Sequence, residues 1–579
     1  MLKSETGFRK RISSIPQIII WQILSLIILC STAGLLKAQN LENIVSQKPF
    51  KLSGAVNAQL QFYHATGRTA NRQPFMWYFQ GNPVVSVYGI TLPFSFVFSE
   101  QQRDFRQPFN RFGVSPYYKW IKVHLGYQNL NWSTYSLAGH TITGAGFELT
   151  PGKFYIGFMT GRLLKAIEEQ KVFNGEAVRY QTPAFRRNGT SIKLGYGTNK
   201  NNVNVILLKA KDDPYSISAD PATTKITPGE NLVLSAVTHQ TIIKNLFFDA
   251  EWARSIYTPD IRTPEQDSLN DPLLNVFSFL IKQRQGTRVN TAVRGAVGYA
   301  FKPLSIKLKY ERVTPDFKSM GAYYFLTDLR KITIEPTVKL MKNKLVIGGS
   351  YGNQIDNLNN EKNARTIRNI GSLLVNFMPV RQYTLNINYS NYGLGQRSGI
   401  LELDTITEIS QTTKQVGITQ NLNFQGKDLM HNILISYNFQ KLQDANPNTS
   451  MYSQYQSSIL MLNYMLSYTP WQLSGGIGYT RTAFNLANKN TLMTGPVLNL
   501  NKSLMKNKLS LALSFTAYRN KEDKVLAGNL STLSFQAGLR PNRHHRFSMR
   551  FYINNSKAVD VNATSYNEKK FDVNYAYTF

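Results

Sequence analysis

Apolar residues return at every second position along nearly the whole chain, and this rhythm narrows the possible folds more than any other feature. In LSIKLKY (304–310), Leu304, Ile306, Leu308 and Tyr310 share one parity, and Ser305, Lys307 and Lys309 share the other. YTLNINYS (383–390), LSLALSF (509–515), RFSMRFYI (546–553), VNAQLQF (56–62) and YYKWIKVHLGYQ (117–128) repeat the pattern. A period of two puts alternate side chains on opposite faces of a strand. No stretch after residue 40 sustains a 3.6-residue period, so the chain reads as all-β.

The connections say which kind. From residue 300 onward short turns (FKPL, MKNKL, MPVRQ, QGKD, YTPW, MKNKL, RPNRHH) alternate with longer polar loops near 312–320, 352–366, 391–404, 440–454, 481–490, 519–528 and 555–566. Short turns at one end and long loops at the other are the pattern of a transmembrane barrel. Counting back from the C-terminal strand gives about 15 strands to residue 287 and about nine more to residue 52. The expectation is a single large antiparallel transmembrane β-barrel of about 24 strands (22–26) over residues 52–579, with short periplasmic turns and long extracellular loops. The misfit is EQQRDFRQPFNRF (100–112), which is long for a periplasmic turn and is expected to fold inward.

Aromatics gather at strand ends: Phe301, Tyr310, Phe377, Tyr383, Tyr468, Trp471, Tyr577 and Phe579. Such residues form the two girdles of a lipid-embedded barrel. A soluble propeller would show a blade-length repeat, and none is present. The pentapeptide MKNKL occurs at 341–345 and 505–509 between unlike flanks, which points to shared turn chemistry.

Mean hydropathy is −0.28, which excludes a bundle of membrane helices. The only helical-span candidate is IIIWQILSLIILC (18–30), preceded by Lys3, Arg9, Lys10 and Arg11 and followed by small residues. It is short of the roughly 20 residues a spanning helix needs and has the layout of a secretory signal peptide. Residues 1–38 are assigned to it, with cleavage after Ala38 or, second, after Ala33; residues 39–51 are a short periplasmic lead. Cys30 is the sole cysteine, so the exported chain offers no disulfide, thiolate metal site or catalytic thiol. The formal charge of +32 loses five bases and Glu5 with the signal, a net 4, leaving +28.

The last nine residues, FDVNYAYTF, put Phe571, Val573, Tyr575, Tyr577 and Phe579 on one parity. A closing strand of this kind resembles the C-terminal recognition signal of Gram-negative outer-membrane proteins. That resemblance implies residence in the outer membrane, contact with its lipid and lipopolysaccharide, and delivery by the barrel-assembly machinery. The Asn- and Tyr-rich texture, with Asp267-Ser268-Leu269 and Asp404-Thr405-Ile406, resembles outer-membrane proteins of the Bacteroidota and their O-glycosylation triplets. The chain departs from the TonB-dependent receptors, whose N-terminal plug precedes the barrel, because strands here begin near residue 52.

Function is expected in the lumen. By parity the inward bases are Lys122, His124, Lys193, Lys307, Lys309, Arg546 and Arg550. A low-dielectric tube lined by one sign of charge enriches the opposite ion. The leading expectation is therefore a channel or transporter for small solutes, anionic ones included. The alternative is a non-transporting subunit of a secretion, motility or assembly complex with other envelope proteins. Seven scattered histidines make no ligand pair, and no P-loop, GxSxG or paired carboxylate appears, so neither metal, cofactor nor enzyme is expected; AGHTITG around His140 is the one stretch worth testing for catalysis. Positive charge alone would suit nucleic acid, but an exported barrel does not meet it. Loops 165–188, 211–230 and 259–286, with 100–112, are the expected fillers of so wide a lumen.

Overall fold

A computed structural model describes residues 49–579, apart from 71, 100–110, 169, 175–176, 182, 219–225, 267–268, 324, 399–407, 487–488 and 560–563. The signal peptide, the lead to residue 48, Asp267-Ser268, Asp404-Thr405-Ile406 and most of 100–112 lie outside the described residues.

Each strand pairs antiparallel with its neighbours in chain order, in one sheet of 29 segments. Three pairs of consecutive segments continue one another across breaks at Gly54, Asn82-Pro83 and Ser115-Pro116, so the sheet closes as a 26-strand barrel. The seam joins Ala55–Thr66 to Tyr566–Thr578, in register from Ala55↔Thr578 to Thr66↔Asn567, and the Phe579 amide donates to the Gly54 carbonyl at 3.0 Å. Closure leaves no edge strand exposed, which a sheet in lipid cannot tolerate.

Fifteen strands run from Arg288 to Thr578, as counted from the sequence. The two extra strands lie in the front, where Arg111–Val114 and Tyr117–Tyr118 are too short to show a period. The expected inward course of 100–112 lies outside the described residues, but the recount changes which end of the barrel it belongs to. Ser99 and Arg111 flank it at the long-loop end, so no long turn is required at the other. Two expected long loops are largely strand: Leu473–Leu486 and Lys489–Leu504 stay paired as far as Leu486↔Lys489, and Leu509–Glu522 turns into Val525–Leu539 through Asp523-Lys524. Both copies of MKNKL turn identically, through three left-handed residues: φ is 52°, 57° and 69° at Met341, Lys342 and Asn343, and 53°, 55° and 68° at Met505, Lys506 and Asn507.

Strand parity divides two solvents. Leu308 and Ile477 are 50% and 59% exposed, and Val297, Ile332 and Leu498 stand out on the same outer face. A continuous apolar surface of this extent is stable against lipid and not against water. At the short-turn end His545, Phe547, Tyr575, Tyr577 and Phe579 pack together outside, and the His545 Nδ1 meets the Tyr575 hydroxyl at 2.9 Å. The paired histidines 544 and 545 thus join the aromatic girdle.

Candidate functional site

Among the described residues the apolar cover of the inner wall lies on one side. Every buried apolar side chain among the described residues lies between Tyr63 and Leu329. Two loops create that burial by folding into the lumen, residues 130–140 and 314–328. Tyr135 meets Phe317 and Phe325 edge to face at 5.8 and 5.6 Å, and the three pack on the inward residues Leu208, Val233, Ala253, Ala292 and Val313. Leu130, Trp132, Leu137 and Met320 pack with Ile142, Met159 and Ile206 beside them. Aromatic rings bring the largest apolar area per residue, so three of them suffice to dock a short loop.

Hydrogen bonds fix the two loops to each other and to the wall. Ala138 and Ala322 form a parallel bridge, the Ala138 amide donates to the Gly321 carbonyl at 3.1 Å, and Ser319 Oγ donates to the Ser136 carbonyl at 3.0 Å. A Cβ at Gly321 would sit 2.5 Å from both the Ser136 carbonyl and Leu208, so only glycine permits the approach. Buried Glu251 accepts from Ser133 Oγ at 2.6 Å and the Tyr135 amide at 3.2 Å, and pairs with Arg294 at 2.7 Å. The Tyr135 hydroxyl donates to Glu311 at 2.8 Å. Asn231 holds the other loop, accepting from the Met320 amide at 3.0 Å, while Ser255 Oγ donates to the Lys318 carbonyl at 2.6 Å.

The segment 259–286, expected to fill the lumen, instead packs its described apolar residues on the outside of the barrel. Asp271 caps the short helix Pro272–Val276 and pairs with Arg254. The helix's Leu274, with Ile281, packs on Leu232 and Ile256, which point outward. Its apolar side chains find a dry surface there, where the outer face emerges near the long-loop end. Within 165–188, Ile167 bridges to Ala184 and the inward Arg187 forks onto Asp212 at 2.8 and 3.1 Å. From 211–230, the Gly229 amide donates to the same carboxylate at 3.1 Å.

The seven basic positions all lie on the inward parity, but not in one place. His124 Nε2 meets Glu148 at 2.7 Å and its Nδ1 faces Ser115 Oγ at 3.1 Å; Lys122 stands opposite Glu148 in register. Tyr155 donates to Glu148, and Lys193 lies over the Tyr155 ring at 4.2 Å. Lys309 pairs with Glu335 at 2.6 Å, and Lys307 lies over Phe247 at 5.3 Å. Arg550 donates to Gln536 at 3.1 Å and stands opposite Asp572, while Arg546 stands opposite Ala576. Glu148 and Glu335, which organise these contacts, are absent from the sequence expectation; a carboxylate on the inward parity of a Lys- or His-bearing neighbour is the signal that finds them.

His140 does not form a catalytic arrangement with its threonines. Its Nε2 meets the Tyr323 hydroxyl at 2.7 Å, its Nδ1 meets the Thr141 carbonyl at 3.1 Å, and Thr141 and Thr143 have the outward parity. Burial pulls the imidazole down to about 4, so it is neutral in the docked loop. Among the described residues no group of three or more His, Cys, Asp or Glu could hold a metal ion.

No protein-family model matches the chain, and no curated protein matches it. Several solved structures contain similar chains. A chain of the E. coli P pilus tip assembly intermediate PapC-PapD-PapK-PapG aligns at 10% identity and TM-score 0.44, covering 91% of this chain and 61% of its own length. The copper transporter OprC aligns at 9% identity and TM-score 0.36, over 91% and 80%. Acinetobacter baumannii OccAB2 aligns at 10% and 0.30, over 61% and 92%. The chain thus spans about three-fifths of the first of these. At such scores the likeness carries no functional weight, and the barrel rests on its own strand pairing.

Proposed function

We propose that this chain is a solute channel of a Gram-negative, Bacteroidota-like outer membrane, exported by residues 1–38. One observation carries the reading. From Tyr383 to Leu539 no inward side chain of the described residues has a buried apolar neighbour, and loop contacts are confined to the long-loop rim, as where Thr449 and Ser453 donate to Asp444, so that wall is built to face water. A barrel of this strand number encloses a wide lumen, and loops 130–140 and 314–328 narrow it to one side. The bases on the filled side serve first as partners for Glu148, Glu251 and Glu335; any anion preference rests on Lys307, Arg546 and Arg550. Lipid and lipopolysaccharide surround the apolar band, and the assembly machinery reads Phe571, Val573, Tyr575, Tyr577 and Phe579.

Single-channel recording of the purified full chain in planar bilayers tests this. Discrete openings are expected. A silent barrel that co-purifies stoichiometrically with other envelope proteins would replace the channel with a non-transporting subunit of a larger complex. Deleting Phe579 should cut membrane assembly severalfold, read by heat-shifted electrophoretic mobility; normal insertion would refute the role given to the tail.

A further inference from the structure

Eight adjacent strands, from Tyr383–Ser398 to Val525–Leu539, form a band roughly 40 Å across at about 4.8 Å per strand. Their register fixes which residues face the lumen. Those positions are dominated by Asn, Gln, Ser, Thr and Gly. Charge occurs on them only at Asp444, Lys489 and Glu522, all at the long-loop end, where Lys489 and Glu522 pair at 2.7 Å. Below that rim the band carries no Lys, Arg, Asp or Glu. The outward parity of the same strands does carry cations, among them Lys414, Lys441, Arg481 and Lys502. The scarcity of inward charge is therefore not a scarcity in the segment, whose charges have been sorted to the other face.

The polar groups that remain are organised. Asn432 donates to both Asn421 and Asn423 at 2.6 Å, so one amide is held between two strands with its carbonyl oxygen left over. Beside the band, Asn376 donates to Asn386 at 2.7 Å. Each amide offers a donor and an acceptor a little over 2 Å apart. Neighbouring hydroxyls on a sugar ring present the same alternation. A wall with no fixed charge does not concentrate ions, whereas many weak, exchangeable hydrogen bonds let a solute enter and leave.

Resting on the channel reading above, we infer that the uncharged band is the conduit, and that its solute is a neutral polyhydroxylated molecule, an oligosaccharide. Ions pass alongside it without selection, and the charged residues of the filled side act on the loops instead of the cargo.

The test is planar-bilayer recording of the full chain with maltopentaose, and with oligogalacturonate of equal length as the charged probe. Expected are a cation-to-anion permeability ratio within about twofold of unity in potassium chloride and block by maltopentaose but not by oligogalacturonate. Replacing Asn421→Leu with Asn432→Leu should raise the half-blocking concentration about tenfold while openings persist. Strong ion selectivity, preferential block by oligogalacturonate, or undiminished maltopentaose block in the double variant would overturn the neutral conduit and leave the channel standing. If that variant fails to insert, Asn499→Asp with Asn501→Asp supplies the check, because charge added to the conduit must make it cation-selective; unchanged selectivity overturns the inference. Absence of openings in the unmodified protein overturns the channel reading itself.

Discussion

The two sides of this barrel are built by one chain from the same strand pattern, yet they differ in what satisfies them. On the side from Ile121 to Leu340 the inward residues meet protein: aromatic loops, buried carboxylates and paired bases. On the side from Tyr383 to Leu539 most of them are amides, hydroxyls and glycines, and below the long-loop rim no described segment covers them. The first resembles the interior of a soluble domain and the second its surface. On the covered side a buried Glu251 needs Arg294, Ser133 and the Tyr135 amide around it, whereas a solvated asparagine on the open side needs no partner at all.

That contrast can be broken outright. Replacing Asn131–Gly139 by a short Gly-Ser turn removes the rings and hydrogen bonds that fill the covered side, and conductance should rise severalfold; an unchanged conductance would mean that the loop does not obstruct the path. A narrower cut is Glu251→Ala, which leaves Arg294 unpaired beside Tyr135. It should cost about 3 kcal/mol, seen as at least tenfold faster amide exchange in residues 130–140. Acid should act in the same direction. His140 is neutral when docked, with its value lowered to about 4, so the undocked loop binds the extra proton. Docking should weaken as pH falls from about 6.5 toward 4 and then level off, read as pH-dependent exchange that disappears in His140→Gln. The smallest effect belongs to the open wall: Asn386→Ala should change the unfolding free energy by no more than about 1 kcal/mol, and a larger loss would mean that this side too has a hidden cover.

Much of this is legible in the sequence. LSIKLKY alone places Lys307 and Lys309 inward, because a strand between lipid and water has no choice about which parity faces which. The fifteen later strands are countable for the same reason. The loops were not legible. LNWSTYSLAGH looks like an ordinary polar connection, and its inward course depends on a partner 184 residues later, at Ala322. Two signals were available. Trp132, Tyr135 and Leu137 are too apolar for an exposed loop. The wall beside them is also stripped of side chains: a Cβ at Gly157 would come within 2.9 Å of Trp132, and one at Gly189 within 2.5 Å of Leu163. The outward packing of 259–286 is not legible because its helix supplies apolar residues to a face that the strands alone already explain.

The bridge between Ala138 and Ala322 has a mechanical side. A hoop of 26 staves with no continuous filling is free to flatten, since antiparallel hydrogen bonds resist sliding better than bending. Here a brace spans the inside of the hoop from the connection after Asn129 to the connection after Val313, and the staves between its feet are held at a set curvature. Among the described residues the remaining arc has no such brace. Load applied anywhere on the rim is therefore taken up by the unbraced arc, so the stiffness of the tube is lowest where its wall is bare.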